Sequence, residues 1–321
     1  MANQKTCMAV LAHVDAGKTT LTEAFMFVSG EIRKLGRVDH KDAFLDHFAL
    51  ERERGITIFS KQASFVTHPA GEDGPERVWT LVDTPGHADF GSEVERVLKM
   101  VDGAILLVDA FEGTMPQTRF VLKKALAAKV TPIVVVNKVD KPSARCKEVI
   151  DEVMDLFIDL GADIDQLEFP IVYTSAINGT SSLSPDLATQ EPTMDYVLDT
   201  IINNIPEPKY EEGSLQFQPA LLDYNDFVGR IGIGVVKRGK VKVGSMVSCV
   251  RLDGSITKFR IQKMFGYFGL KRIEIEEAET GDIVAISGLA DINVGETVCE
   301  VGNEEALPKL RIDEPTLQMT F

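Results

Sequence analysis

An eight-residue stretch near the start of the chain, Ala12-His-Val-Asp-Ala-Gly-Lys-Thr19, restricts the folds open to it more than any other feature of the sequence. It follows an apolar, strand-like run (Cys7–Leu11) and precedes a helical pattern, the setting in which a glycine-bearing loop wraps a phosphate. Backbone N–H groups of such a loop point inward at the anion, and the helix that follows adds the partial positive charge of its N-terminus. Gly17 lets the main chain approach closely, with Ala16 before it. Lys18 reaches the outer phosphate oxygens, Thr19 offers a hydroxyl to Mg²⁺, and Thr20 is read with Asp15 and Ala16 among the GTP-binding residues. Ligand loops of this kind gather at the carboxyl edge of a parallel sheet, so the chain is expected to supply βαβ units. One position departs from the usual pattern: Ala12 stands where the first glycine is expected. Alone, the stretch also reads as a ligand-free turn from strand to helix.

The first two hundred residues meet that demand. Val78–Val82, Ala104–Val108, Pro132–Val136 and Pro170–Tyr173 are short apolar runs bounded by turn residues, as buried parallel strands are. Helical patterns lie between them. Over 144–160, Val149, Ile150, Val153, Met154, Phe157 and Leu160 fall on one face. The single tryptophan, Trp79, is expected to pack in the sheet.

Further motifs sit at the ends of these strands. Asp83-Thr-Pro-Gly-His87 follows the second strand; an aspartate there can hold a Mg²⁺-bound water, and Gly86 can present its N–H to a γ-phosphate. Asn137-Lys-Val-Asp140 follows the Pro132–Val136 strand. The Asp140 carboxylate can accept two N–H donors from guanine that adenine lacks, leaving a charged acceptor unpaired for the wrong base. Asn137 would bond the base edge and the loop, and the Lys138 stem would cover the ring. Ser175-Ala176-Ile177 completes the base side, though alone it reads as a polar turn. Arg54-Gly-Ile-Thr57 adds Thr57 as a second Mg²⁺ ligand when a γ-phosphate is present. Each motif is common by itself. Their shared order, each at a strand or helix junction, predicts a guanine-nucleotide site.

At Ile205-Pro-Glu-Pro-Lys-Tyr210 two prolines end the last helix of this region. From Leu215 onward short strands alternate with glycine turns, as in Val228–Val236 and Gly281–Ile286, and a small β-barrel is expected. The predicted organisation is a nucleotide-binding domain over 1–205, a β-barrel domain over 206–304, and the opening strand of a further domain over 305–321. The chain of 321 residues carries 34 basic and 49 acidic residues, a net charge of −15, the wrong sign for coating naked nucleic acid. Residues 213–303 hold eleven of each sign, so the acidic surplus lies elsewhere and a local basic surface remains open there. No apolar run approaches the roughly 18–20 residues that span a bilayer, and no leader segment is legible at the start. The cysteines Cys7, Cys146, Cys249 and Cys299 are scattered without C-x-x-C or a nearby histidine, a pattern of free thiols in a reducing cytosol.

Ala12-His-Val-Asp-Ala-Gly-Lys-Thr-Thr20, Glu53-Arg-Gly-Ile-Thr-Ile58 and Asp83-Thr-Pro-Gly-His-Ala-Asp-Phe90 resemble the translational GTPases of the elongation-factor class, in which alanine commonly replaces the first loop glycine. Gly91-Ser-Glu-Val-Glu-Arg-Val97, Val108-Asp-Ala-Phe-Glu-Gly-Thr-Met-Pro-Gln-Thr-Arg-Phe-Val121, Leu222-Asp-Tyr-Asn225 and Ile231-Gly-Ile-Gly234 are similar to the TypA/BipA family of ribosome-binding GTPases. The resemblance spans essentially the whole chain. Residues 21–64 lean instead toward the tetracycline ribosome-protection proteins, which leaves a hybrid origin open. Members of the family continue well beyond this length, so the chain reads as a fragment.

The resemblance implies slow GTP hydrolysis that accelerates on the ribosome. His87 is then the catalytic histidine that orients the attacking water once ribosomal RNA is engaged, and Val14 and Ile56 form the apolar gate that holds it out. Asp15 is implied either at a monovalent-cation site or as a loop-stabilising carboxylate. The remaining histidines, His13, His40, His47 and His68, are read as structural or surface residues. Lys237, Arg238, Lys240, Lys242, Lys258, Arg260, Lys263, Lys271 and Arg272 are candidates for RNA contact, or simply solvated strand faces. The expected partner is the ribosome, with no membrane or DNA partner, for a cytoplasmic monomer. The rival readings are a ribosome-protection or translocase-type factor, a tRNA-delivering factor, and a nucleotide-dependent binding module with vestigial hydrolysis.

Overall fold

The structure, a computed structural model, describes residues 4–32, 61–67, 76–84, 91–205, 211–268 and 271–310. Two compact units divide at Glu207 and Pro208.

The first unit is built on a seven-stranded sheet in the order β2-β3-β1-β4-β5-β6-β7. Its strands are β1 (Gln4–Leu11), β2 (Lys61–Thr67), β3 (Arg77–Asp83), β4 (Gly103–Asp109), β5 (Thr131–Asn137), β6 (Ile171–Ser175) and β7 (Thr180–Ser182). The five central strands run parallel, while β2 and β7 pair antiparallel at the two edges. The four strands expected from apolar runs coincide with β3 to β6 to within two residues. The antiparallel edge strand β2, Lys-Gln-Ala-Ser-Phe-Val-Thr, has mixed polarity and carries no comparable signal. All seven residues of β4 are buried, as a strand with helices on both faces must be.

Helices α1 (Lys18–Val28), α2 (Gly91–Leu98), α3 (Pro116–Ala127), α4 (Cys146–Asp159), the single turn α5 (Ile164–Leu167) and α6 (Asp195–Asn204) surround the sheet. In α4 the buried set is Val149, Val153, Leu156 and Phe157, whereas Ile150 and Met154 are half-buried at its margin. Trp79 is fully buried; its ring stacks on Phe65, Phe65 stacks on Phe25 of α1, and Trp79 Nε1 donates to Thr67 Oγ1 at 2.8 Å. These contacts fasten β2 and α1 to the parallel core.

The second unit is wholly antiparallel in its ladders. Its strands are β8 (Gln216–Asn225), β9 (Gly229–Arg238), β10 (Lys240–Lys242), β11 (Met246–Val250), β12 (Ile256–Arg260), β13 (Lys263–Phe268), β14 (Lys271–Glu274), β15 (Glu277–Glu279), β16 (Ile283–Ser287) and β17 (Thr297–Glu300). Eight form one sheet, β12-β11-β17-β8-β9-β16-β13-β14, and β10 pairs with β15. The sheet encloses one core containing Phe217, Val236, Val247, Phe259, Met264, Ile286 and Val298. Arg272 of β14 donates to Asp223 of β8 at 2.6 Å, joining strands far apart in sheet order. Gly234 permits a close crossing, since a Cβ there would lie 2.0 Å from the Gln218 carbonyl. Residues 304–310 lie against β8: Gln216 Nε2 donates to the Glu305 carbonyl (2.9 Å) and Gln218 Nε2 to that of Pro308 (3.1 Å). Residues 311–321, expected to continue a further strand, lie outside the described residues.

Candidate functional site

The phosphate loop runs from the buried end of β1 to the start of α1. Asp15 adopts a left-handed φ of 64° and Gly17 one of 100°. At Gly17 this conformation and the neighbouring side chain both demand glycine, because a Cβ would meet Asn137 Nδ2 at 2.6 Å. Ala12, Ala16, Lys18 and Thr19 are buried, Val14 and Thr20 half-buried, and Asp15 exposed. Lys18 folds back so that Nζ donates to the His13 carbonyl at 3.0 Å. Burial lowers the Lys18 ammonium below its ordinary value, against the opposing pull of Asp83 and Asp15.

Asp83 closes β3 beside this loop. Thr19 Oγ1 donates to Asp83 Oδ2 at 3.1 Å, both groups buried, and Thr84 Oγ1 ties the next residue to the Val10 carbonyl at 2.7 Å. A hydroxyl and a carboxylate are the hard oxygen donors that suit Mg²⁺. The pair therefore fits the ion implied by the sequence. Thr57, Ile56, Gly86 and His87 lie outside the described residues, as do His40, His47 and His68.

Asn137 joins the loop after β1 to the segment around the end of β6. Its Nδ2 donates to the Ala16 carbonyl (2.9 Å), while Oδ1 accepts Thr174 Oγ1 (3.2 Å) and the Ala176 N–H (3.0 Å). One buried amide thus holds three segments that are far apart in the chain. Lys138, in the left-handed region at φ 67°, sends Nζ to the Asp15 carbonyl (2.5 Å) and to Asp109 Oδ2 (2.7 Å). Asp140 is exposed, and its Oδ1 accepts Ser175 Oγ at 2.6 Å, which in turn accepts Asn178 Nδ2 at 2.8 Å. Ser175, a weak signal in the sequence, thereby aims the carboxylate. Ala176 is buried and Ile177 is 40% exposed on the short 3₁₀ turn 176–178.

Three residues at the site, Asp109, Arg145 and Thr174, escaped sequence reasoning, and a fourth, His13, was read only as structural or surface. Asp109 ends β4 and anchors Lys138. Burial pushes its carboxyl up, but the Lys138 hydrogen bond and the N–H groups of Phe111 and Glu112 outweigh this and hold it below the ordinary value. His13 is 3% exposed within the phosphate loop, its Nε2 paired with Glu112 Oε2 at 2.7 Å. Arg145 braces the loop after β4. Thr174 orients Asn137. The usable signal was position: Asp109-Ala-Phe-Glu112 follows a strand between two motif-bearing strands, at the edge where ligand loops gather.

In the second unit several of the basic residues considered for RNA contact have carboxylate partners. Lys240 and Lys242 face Glu277 and Glu279, Lys263 pairs with Glu274, Arg238 with Glu305 and Arg272 with Asp223. The four cysteines are free thiols.

A family model described as the elongation factor Tu GTP binding domain matches residues 3–207, and one described as elongation factor Tu domain 2 matches residues 229–299. The chain is 56% identical over 315 residues to a Bacillus subtilis (strain 168) protein named Large ribosomal subunit assembly factor BipA, covering 98% of this chain and 50% of that one. Proteins of the same name from Escherichia coli O6:H1 and Haemophilus influenzae are 47% and 45% identical, again over 98% of this chain and 50% of theirs. The chain spans about half the length of these curated relatives. A crystal structure from Thermus thermophilus superposes with a TM-score of 0.67 at 18% identity, over 94% of this chain and 55% of that one, a likeness of fold alone.

Proposed function

The chain belongs to the family of the elongation factor Tu GTP binding domain, and on that premise we propose that it is a ribosome-associated GTPase of the TypA/BipA type, hydrolysing GTP to GDP and phosphate. The observation that carries the reading is the convergence on Asn137: one amide bridges the phosphate loop to the Thr174–Ala176 segment, beside an Asp140 already aimed by Ser175. A phosphate cradle and a carboxylate selective for guanine are what a GTP site requires.

In this reading the phosphate loop from Asp15 to Thr20 holds the phosphates and Lys18 moves from the His13 carbonyl onto their oxygens. Asn137, Lys138, Asp140 and Ser175 to Ile177 hold the base. Thr19, with Asp83 through a water and Thr57, would hold Mg²⁺, whose charge offsets that of the phosphates. His87 orients the attacking water, Gly86 offers its N–H to the γ-phosphate, and Val14 and Ile56 gate the histidine. Phosphoryl transfer depends chiefly on positioning and electrostatic help, so hydrolysis without an activator is slow, roughly 10⁻⁴–10⁻² per second. Ribosomal RNA is the activator. The name of the relatives supports a role in assembly of the large ribosomal subunit; we read the factor as a cytoplasmic monomer.

The test is phosphate release from GTP with and without 70S ribosomes, alongside nucleotide competition in Mg²⁺. Acceleration by ribosomes and displacement of labelled GTP by GDP but not ATP are expected. Equal competition by ATP, or absence of nucleotide binding, overturns the reading.

A further inference from the structure

Residues 109–115, which join β4 to α3, are held more firmly than a connecting loop requires. Asp109 Oδ1 accepts the backbone N–H of Phe111 (2.8 Å) and of Glu112 (3.2 Å). Arg145, at the start of α4, donates to the carbonyls of Phe111 (2.7 Å) and Glu112 (3.3 Å). Glu152 of the same helix receives both Arg145 and the Thr114 N–H. The Glu112 backbone is thus fixed from two directions before its side chain leaves the loop.

That side chain meets the phosphate loop. Glu112 Oε2 lies 2.7 Å from His13 Nε2, across 99 residues of sequence. A carboxylate only accepts, so Nε2 is the donor in this contact. Nδ1 is buried and has no hydrogen-bond partner among the described residues, so the polar tether of the ring is Glu112. A buried ring nitrogen without a partner is disfavoured, which makes this histidine costly as filler. The carbonyl of the same residue carries Lys18 Nζ. A second route runs parallel to the first: Asp109 holds Lys138, which holds the Asp15 carbonyl. One rigid loop therefore grips the phosphate loop at residues 13 and 15.

We infer that Glu112 is a positioning residue of the nucleotide site: it fixes His13 within the phosphate loop, so that the loop is preformed and bound nucleotide leaves slowly. The inference rests on the GTP-site reading and adds to it a determinant of nucleotide release outside the recognised motifs.

The experiment is release of a fluorescent GDP analogue from the intact chain in Mg²⁺, chased with excess GDP. It compares the wild type with Glu112→Ala, Glu112→Gln, His13→Ala and the double alanine variant. Glu112→Ala is expected to speed release on the order of 10-fold, the loss of one hydrogen bond to a charged group. Glu112→Gln retains a neutral acceptor and is expected near 3-fold, since charge-assisted bonds are roughly twice as strong as neutral ones. The double variant should release no faster than His13→Ala alone, because both changes break one contact. A role confined to general stability would instead lower the urea midpoint while leaving release unchanged. Unchanged release in Glu112→Gln and Glu112→Ala, or multiplied effects in the double variant, overturns the inference while leaving the GTP site standing. If Glu112→Ala does not fold, the 3-fold effect of Glu112→Gln decides. A wild type that fails to bind the analogue overturns the GTP-site reading and this inference together.

Discussion

Replacing Asn137 with alanine removes three hydrogen bonds that join the Ala16 carbonyl, the Thr174 hydroxyl and the Ala176 N–H. Ala16, Thr174 and Ala176 are each at most 1% exposed, so bulk water does not replace what is lost. At about 1 kcal/mol per net hydrogen bond the first unit should lose about 3 kcal/mol, more where a group stays dry and unpaired. The single Trp79 is fully buried in β3 and reports this unit without contribution from the second. With a urea slope of about 2 kcal/mol/M, the midpoint followed by its fluorescence should fall by about 1.5 M. Thr174→Val removes one of the three bonds and should lower it by about 0.5 M. A shift for Asn137→Ala no larger than that of Thr174→Val would refute the claim that this amide holds three segments together.

Cys249 is pushed up to about 12 by burial and by the adjacent Glu296 carboxylate, so it should resist iodoacetamide at pH 8 in the native protein and react once urea unfolds it, as read by mass spectrometry. Burial lowers the Lys18 ammonium, so the unfolded chain binds more protons than the folded one between that lowered value and the ordinary 10.5. Stability without nucleotide should therefore rise with pH across that window, and the rise should be smaller in Lys18→Met by urea titration at stepped pH. His87→Ala should abolish ribosome-stimulated phosphate release while leaving GTP affinity within about 3-fold of wild type; a larger loss in nucleotide titration would speak against a role confined to hydrolysis.

The nucleotide motifs were legible because each obeys a rule local to a few residues. A loop that wraps a phosphate needs a glycine where Gly17 stands, and a guanine acceptor needs a carboxylate like Asp140 shortly after a buried strand. The parallel strands were legible for a similar reason: a strand covered on both faces has little choice but to be apolar, as β4 is throughout. Edge strand β2 obeys no such rule. It borrows its place from Trp79, Phe65 and Phe25, whose stacking depends on three separate elements meeting.

Residue types and short spacings by themselves determined the βαβ class of the first unit, the break near Ile205 and the strand-rich second unit, and they marked out the motifs from which a nucleotide site is proposed. Tertiary structure alone decided which of those side chains are braced and by what. His13 became a buried partner of Glu112, Ser175 an aiming device for Asp140, and Lys240 and Lys242 neighbours of Glu277 and Glu279. The physical reason is range. Backbone periodicity acts over a few residues, whereas Asn137 and Ala16 stand 121 positions apart and meet only because β5, which ends in Asn137, and β1, which leads into the loop of Ala16, lie in one sheet.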